Sequence, residues 1–134
     1  MKRNKWLAML LTIAMVFMII PTTAFATENE VDFWDGTSDT SWYNETDTEF
    51  HIKTAEQLAG LAALTNQDTP ITFTGKTIYL DVDVDLKDYN WVAISDDGSS
   101  STTSSFSGTF DGQGHSINNL NSSSSTQKLG LFGT

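Results

Sequence analysis

Thr77 to Leu86 reads TIYLDVDVDL. Ile78, Leu80, Val82, Val84 and Leu86 alternate there with Thr77, Tyr79, Asp81, Asp83 and Asp85. A period of two sustained over this run predicts one strand with a buried face and a solvated face. Working upstream, Thr54 opens a predicted helix. Its hydroxyl can accept from the backbone N–H of Gln57, and the Gln57 side chain can reach back, which is a capping box. Ala55, Leu58, Leu61, Ala62 and Thr65 fall on one face at helical spacing, and the stretch Asn66 to Pro70 ends the element. Glu49 to Ile52 is a short candidate strand before it.

Downstream, further short strands are predicted at Trp91–Ile94 (WVAI), Phe106–Phe110 (FSGTF), His115–Leu120 and Leu129–Phe132 (LGLF). Asp111-Gly112-Gln113-Gly114 reads as a tight turn, and Asp96–Ser105 and Asn121–Thr126 as Ser-rich loops. Each strand carries few apolar residues, so none can close a core alone. Such strands suit a solenoid, in which successive turns of chain cover one another. The expected fold is therefore mainly β: the start of a right-handed parallel β-helix with an N-terminal capping α-helix. The alternative is a small α+β domain. On the solenoid reading the last turn is uncovered at Phe132, which predicts that the chain is the N-terminal portion of a longer protein.

The chain has 134 residues, 7 Lys and Arg, 17 Asp and Glu, and no cysteine. Lys2, Arg3 and Lys5 precede an apolar run from Trp6 to Ile20, Pro21 breaks it, and Ala24-Phe25-Ala26 follows. This is the pattern of a secretory signal peptide cleaved after Ala26, and the run is short of the roughly 20 residues that span a bilayer. Three regions result: residues 1–26 as signal peptide, 27–47 as an irregular acidic lead-in, and 48–134 as cap and first turns of the solenoid. The protein is expected to be secreted to a bacterial cell surface and to meet the membrane only during export. Without the signal peptide, 4 basic face 17 acidic side chains, a net of −13. That balance argues against nucleic acid and anionic lipid as partners. The lack of cysteine excludes disulfides, thiolate metal sites and cysteine nucleophiles.

Taken in order, FHIKTAEQLAGLA (Phe50–Ala62), FTGKTIYLDVDVDL (Phe73–Leu86), WVAI (Trp91–Ile94), FSGTFDGQGHSINNL (Phe106–Leu120) and GLFG (Gly130–Gly133) resemble the N-terminal part of secreted bacterial surface proteins that carry GLUG-type repeats. The resemblance spans about residues 48–133. It implies a right-handed parallel β-helix, adhesion or wall-attachment roles, and a GLFG that begins the first of several repeats. That family shares no catalytic motif, so it assigns no residue a catalytic role.

Asp81, Asp83 and Asp85, at i, i+2 and i+4, would set three carboxylates ~7 Å apart on one strand face. They are the candidate calcium ligands, since Ca²⁺ takes several carboxylate oxygens. The plainer reading is a solvated face moderated by Lys53, Lys76 or Lys87. Trp34, Trp42 and Tyr43, with Trp91, could stack on sugar rings. The plainer reading is that they cover the helix and the first turn of chain. Asp96-Asp97 and Gly114-His115 resemble fragments of polysaccharide hydrolase sites. No cationic clamp accompanies them, because no arginine follows Arg3. His51 and His115 have no His or Cys companion at metal spacing. No catalytic residue and no cofactor is expected. The expected function is a non-catalytic surface module for adhesion, recognition or display, with host or cell-wall glycans or surface proteins as partners. The alternatives are a fragment of a secreted carbohydrate-active enzyme and a purely structural cap or stalk.

Overall fold

A computed structural model describes residues 28–96, 106–123 and 129–133. The predicted signal peptide, most of the Asp96–Ser105 loop and much of the Asn121–Thr126 loop lie outside the described residues. The elements are β1 (Val31–Phe33), β2 (Glu49–Ile52), α1 (Ala55–Asn66), β3 (Thr77–Leu80), β4 (Asp83–Asp85), β5 (Thr109–Asp111) and β6 (Ile117–Asn118). The fold is mainly strand with a single helix among the described residues.

Among the described residues all strand pairing is parallel, in two three-stranded sheets ordered β1-β4-β6 and β2-β3-β5. The chain therefore stacks in three levels. The first holds β1 and β2, the second β3 and β4, the third β5 and β6. Between the second and third levels, Thr77 pairs with Thr109 and Val84 with Ile117. Single parallel bridges join Asn90 to Asn121 and Ile94 to Phe132. In the first level the order is reversed: β1 comes earlier in the chain than β2 but occupies the place that β4, the later strand, takes in the second.

The single strand predicted over Thr77–Leu86 is in fact two strands in different sheets. The chain turns a corner at Asp81-Val82, where the Asp81 N–H donates to Ile52 O at 2.9 Å. Ile78, Val84 and Leu86 are fully buried and Leu80 nearly so. The alternation was thus a true record of which side chains face the core, but not of a straight backbone. Predicted strands elsewhere shrink for a related reason. Trp91–Ile94 and Leu129–Phe132 are reduced to the single bridge between Ile94 and Phe132. The strand expected at Phe106–Phe110 is displaced to Thr109–Asp111 and takes in the first turn residue. His115–Leu120 keeps only Ile117–Asn118, because Asn119 takes a left-handed φ of 54°.

The helix follows the prediction, with one change at its start. Gln57 N donates to Thr54 Oγ1 at 3.2 Å. The Gln57 side chain reaches one residue further back than a capping box requires and accepts from Lys53 N at 2.8 Å. The helix packs Leu58, Leu61 and Leu64 inward. Its first N–H groups find another partner in the lead-in, where Asp32 Oδ2 accepts from Ala55 N at 2.6 Å.

The lead-in is irregular, as expected, apart from β1, and it carries aromatic side chains into the core. Among residues 28–47 only Val31–Phe33 form a strand, and Trp34 directly after it is buried. Trp34 meets Trp91 edge-on at 5.5 Å and Tyr89 at 5.7 Å, and its Nε1 donates to Thr37 O at 2.6 Å. Trp42 and Tyr43 pack on Phe50 and Phe73. Rings then continue through Phe106 and Phe132 to Phe110 in the third level. Lys76 fastens the segment that follows: its Nζ donates to Glu45 O at 2.9 Å and to Asp47 O. The same ammonium lies 5.4 Å from the Phe50 ring centre, a contact that adds to the clamp.

Candidate functional site

The three aspartates that were candidate calcium ligands do not share one strand face. The corner between β3 and β4 separates Asp81 from the other two, and each carboxylate is engaged with a different neighbour. Asp81 Oδ2 meets His51 Nδ1 at 2.8 Å, and Asp81 Oδ1 accepts from Gln113 Nε2 at 2.6 Å. Asp83 Oδ1 meets His115 Nδ1 at 3.0 Å and accepts from Ser116 N at 2.8 Å. Asp85 accepts from Asn119 Nδ2 at 2.9 Å and from Lys87 N at 2.8 Å. Among the described residues, no group of three or more His, Cys, Asp or Glu side chains is placed to hold a metal ion. Millimolar calcium is accordingly expected to leave the melting temperature unchanged. A rise of several degrees, cancelled by Asp83→Asn, would restore the calcium reading.

These bonds form a column down one side of the stack. The second level supplies acceptors at Asp81, Asp83, Asp85 and Asn90, and the third supplies donors at Gln113, Ser116, Asn119 and Ser123. His51 ties the first level to the second, and His115 ties the third to the second. Neither pairing was legible from local pattern, because the partners are 30 and 32 positions apart.

The column has a pH signature. The Ser116 N–H, followed by His115, holds the Asp83 carboxyl below its ordinary value of 3.8. The Asn119 amide, followed by the Lys87 N–H, does the same for Asp85. Turn bonds from Thr37 and Ser41 lower Asp35 and Asp39 in the same direction. A folded pKa below the unfolded one contributes stability that is present above the unfolded value and is lost as pH falls through the folded value. Stability is expected to hold above about pH 4 and to decline below it. Asp83→Asn and Asp85→Asn should each flatten that decline in an acid titration followed by circular dichroism. Acid limbs superimposable on the wild type would show that neither carboxylate contributes.

The aromatic candidates are placed inside or against the core. Trp34 is 7% exposed and Trp91 1%, while Trp42 and Tyr43 are half-buried. Trp42 Nε1 is buried with no hydrogen-bond partner. Of the hydrolase-like fragments, Asp96 is buried, Asp97 lies outside the described residues, and His115 is engaged by Asp83.

One cleft of about 310 Å³ opens between the 36–38 loop, the helix face at Ala59, Ala62, Ala63 and Asn66, and the segment Asn90–Val92. Trp34 and Trp91 are among its lining residues, together with the polar Thr37, Ser38, Asn66 and Asn90. The volume is at the low end for small-molecule sites. No charged side chain lines it. Such a lining offers hydrogen bonds and apolar contact to a small neutral ligand, and no ion pair to a uronate or phosphate. Among the described residues, no helix is long and apolar enough to cross a membrane. Comparison of the chain with known protein families, with characterised proteins and with solved structures returns no match.

Proposed function

We propose that this chain is a non-catalytic, extracellular module of a bacterial surface protein, in which a helix and an aromatic lead-in cap the start of a right-handed parallel β-solenoid built for display and recognition. The observation that carries the reading is the repeated stacking of the second and third levels. β3, β4, Asn90 and Ile94 recur in parallel as β5, β6, Asn121 and Phe132, in the same order along the chain. Repetition of this kind is what a solenoid requires. The non-catalytic part is supported by the engagement of Asp81, Asp83 and Asp85 in bonds between levels. The packing of Trp34, Trp42 and Tyr43 against the core favours a capping task for the first level over a sugar-stacking one. Recognition then falls on the uncharged cleft and the outer strand faces.

Labelling of intact, unpermeabilised cells with an antibody against the folded chain tests this function. Surface labelling that mild protease treatment removes is the expected result. Antigen found only after cell lysis would overturn the proposal.

A further inference from the structure

Two carboxamides, Asn66 and Asn90, line the uncharged cleft, and the protein fixes the order of oxygen and nitrogen in each. Asn66 Nδ2 donates to Ala93 O at 2.8 Å, and Asn66 Oδ1 is buried with no hydrogen-bond partner among the described residues. Asn90 Oδ1 accepts from Ser123 N at 3.1 Å and from Ser123 Oγ at 2.9 Å. The Asn90 NH₂ group has no partner among the described residues. The cleft residues therefore hold one unused acceptor and one unused donor group, both neutral. A buried acceptor left unpaired is costly, so a ligand group that donates to Asn66 Oδ1 relieves a penalty already present in the empty protein.

A secondary amide answers this pair. Its N–H suits the Asn66 acceptor, and its carbonyl or a neighbouring hydroxyl suits the Asn90 donor. The remaining lining divides in the same way. Ala59, Ala62 and Trp91 offer apolar contact to a methyl group, and Thr37 and Ser38 offer hydroxyls. A group that carries amide, methyl and hydroxyls together, with no charge, is the acetamido sugar. The volume of about 310 Å³ suits one ring rather than a long chain.

We propose that this cleft binds a neutral N-acetylhexosamine unit of a glycan. The proposal rests on the recognition role proposed above and names the ligand class of its cleft. It requires no stacking on the buried indoles. Acidic sugars are disfavoured because no cationic side chain lines the cleft. Sugars without the acetamido group lose both the amide and the methyl contact.

Calorimetric titration of the purified chain with N,N′-diacetylchitobiose tests the proposal. Saturable one-to-one binding is expected, with cellobiose, which lacks the acetamido groups, weaker by at least about tenfold. Asn90→Asp keeps the oxygen that Ser123 needs and replaces the donor by a second acceptor. Ala63→Leu fills the cleft from an exposed helix position that favours neither unfolding nor a break in the helix. Each variant should weaken binding by at least about tenfold while leaving the circular dichroism spectrum unchanged. No binding, equal affinity for cellobiose or for the peptide mimic N-acetylalanine methylamide, or binding unmoved by both variants would each overturn the proposal. Equal or tighter binding of the wall disaccharide that contains N-acetylmuramic acid, an anionic sugar, would overturn the neutral assignment. The titration is indifferent to where the protein resides, so its failure leaves the surface-labelling result intact, and a failure of surface labelling leaves the titration intact.

Discussion

Gly60→Ala is expected to destabilise the protein by about 2 kcal/mol, with a sign opposite to the one helix propensity gives. Gly60 lies within α1, where alanine should be better by about 1 kcal/mol. A Cβ at this position, however, would stand 1.9 Å from Asp39 O and 2.6 Å from Asp39 C, with Trp42 Nε1 at 3.2 Å. The obstacle is backbone, which cannot rotate aside as a side chain can. Overpacking of this kind costs about 3 kcal/mol, which exceeds the propensity gain. The lead-in must lift, and with it goes the bond from Asp39 N to Glu56 O at 2.8 Å. Urea unfolding of the wild type and variant measures the difference. The exposed substitution Ala63→Gly on the same helix calibrates the propensity effect at about 1 kcal/mol. A Gly60→Ala protein as stable as the wild type would show that the lead-in does not press on the helix.

Trp34→Ala should cost about 3–5 kcal/mol. A domain holds only about 5–15 kcal/mol in all, so the variant is expected to be partly unfolded at room temperature. The indole fills the space between the lead-in, Tyr89 and Trp91, and its Nε1 closes the turn at Thr37. Removing it leaves a cavity beside the fully buried Trp91. The neighbouring residue supplies the contrast. Phe33 is 55% exposed, with Lys87 Nζ 5.1 Å from its ring centre. Phe33→Ala is expected to cost no more than about 1 kcal/mol. Thermal unfolding of the two variants separates the cases. Equal losses at the two positions would mean that the lead-in is not part of the core.

How legible this was in the sequence varied with the kind of signal. The helix was legible because Thr54 and Gln57 act locally and the apolar spacing follows. The inward set Ile78, Leu80, Val84 and Leu86 was legible because alternation reports burial directly. The corner at Asp81-Val82 was not, since a chain that bends between sheets while keeping alternate residues inward carries the same pattern as a straight strand. The fate of Asp81, Asp83 and Asp85 followed from that corner and from partners such as His51, Gln113 and Asn119. None of those partners is near in sequence. In the lead-in only the short strand Val31–Phe33 escaped the loop signal of the Asp, Ser and Thr residues. Those residues do form Asx turns, as at Asp35 and Asp39, but the turns serve to insert Trp34 and Trp42. Placing a large aromatic between turn residues was the available clue. A mainly β chain with one helix was legible from the short strand signals, while the parallel register is set by contacts between segments that lie far apart along the chain.

The reversed order of the first level bears on how the chain reaches its fold. β2 and β3 pair inside the interval bounded by β1 and β4, so the two pairings are nested. Val31 and Asp83 are 52 positions apart, against 28 for Glu49 and Thr77. Once β2 has met β3, only residues 34–48 and 81–82 separate β1 from β4. The remaining loop is about a third as long, which lowers the entropic cost of closing it by about 1 kcal/mol. The inner pair is therefore expected to close first, with β1 joining afterwards. Substitutions in β1 and at Trp34 should then accelerate unfolding while leaving the refolding rate nearly untouched.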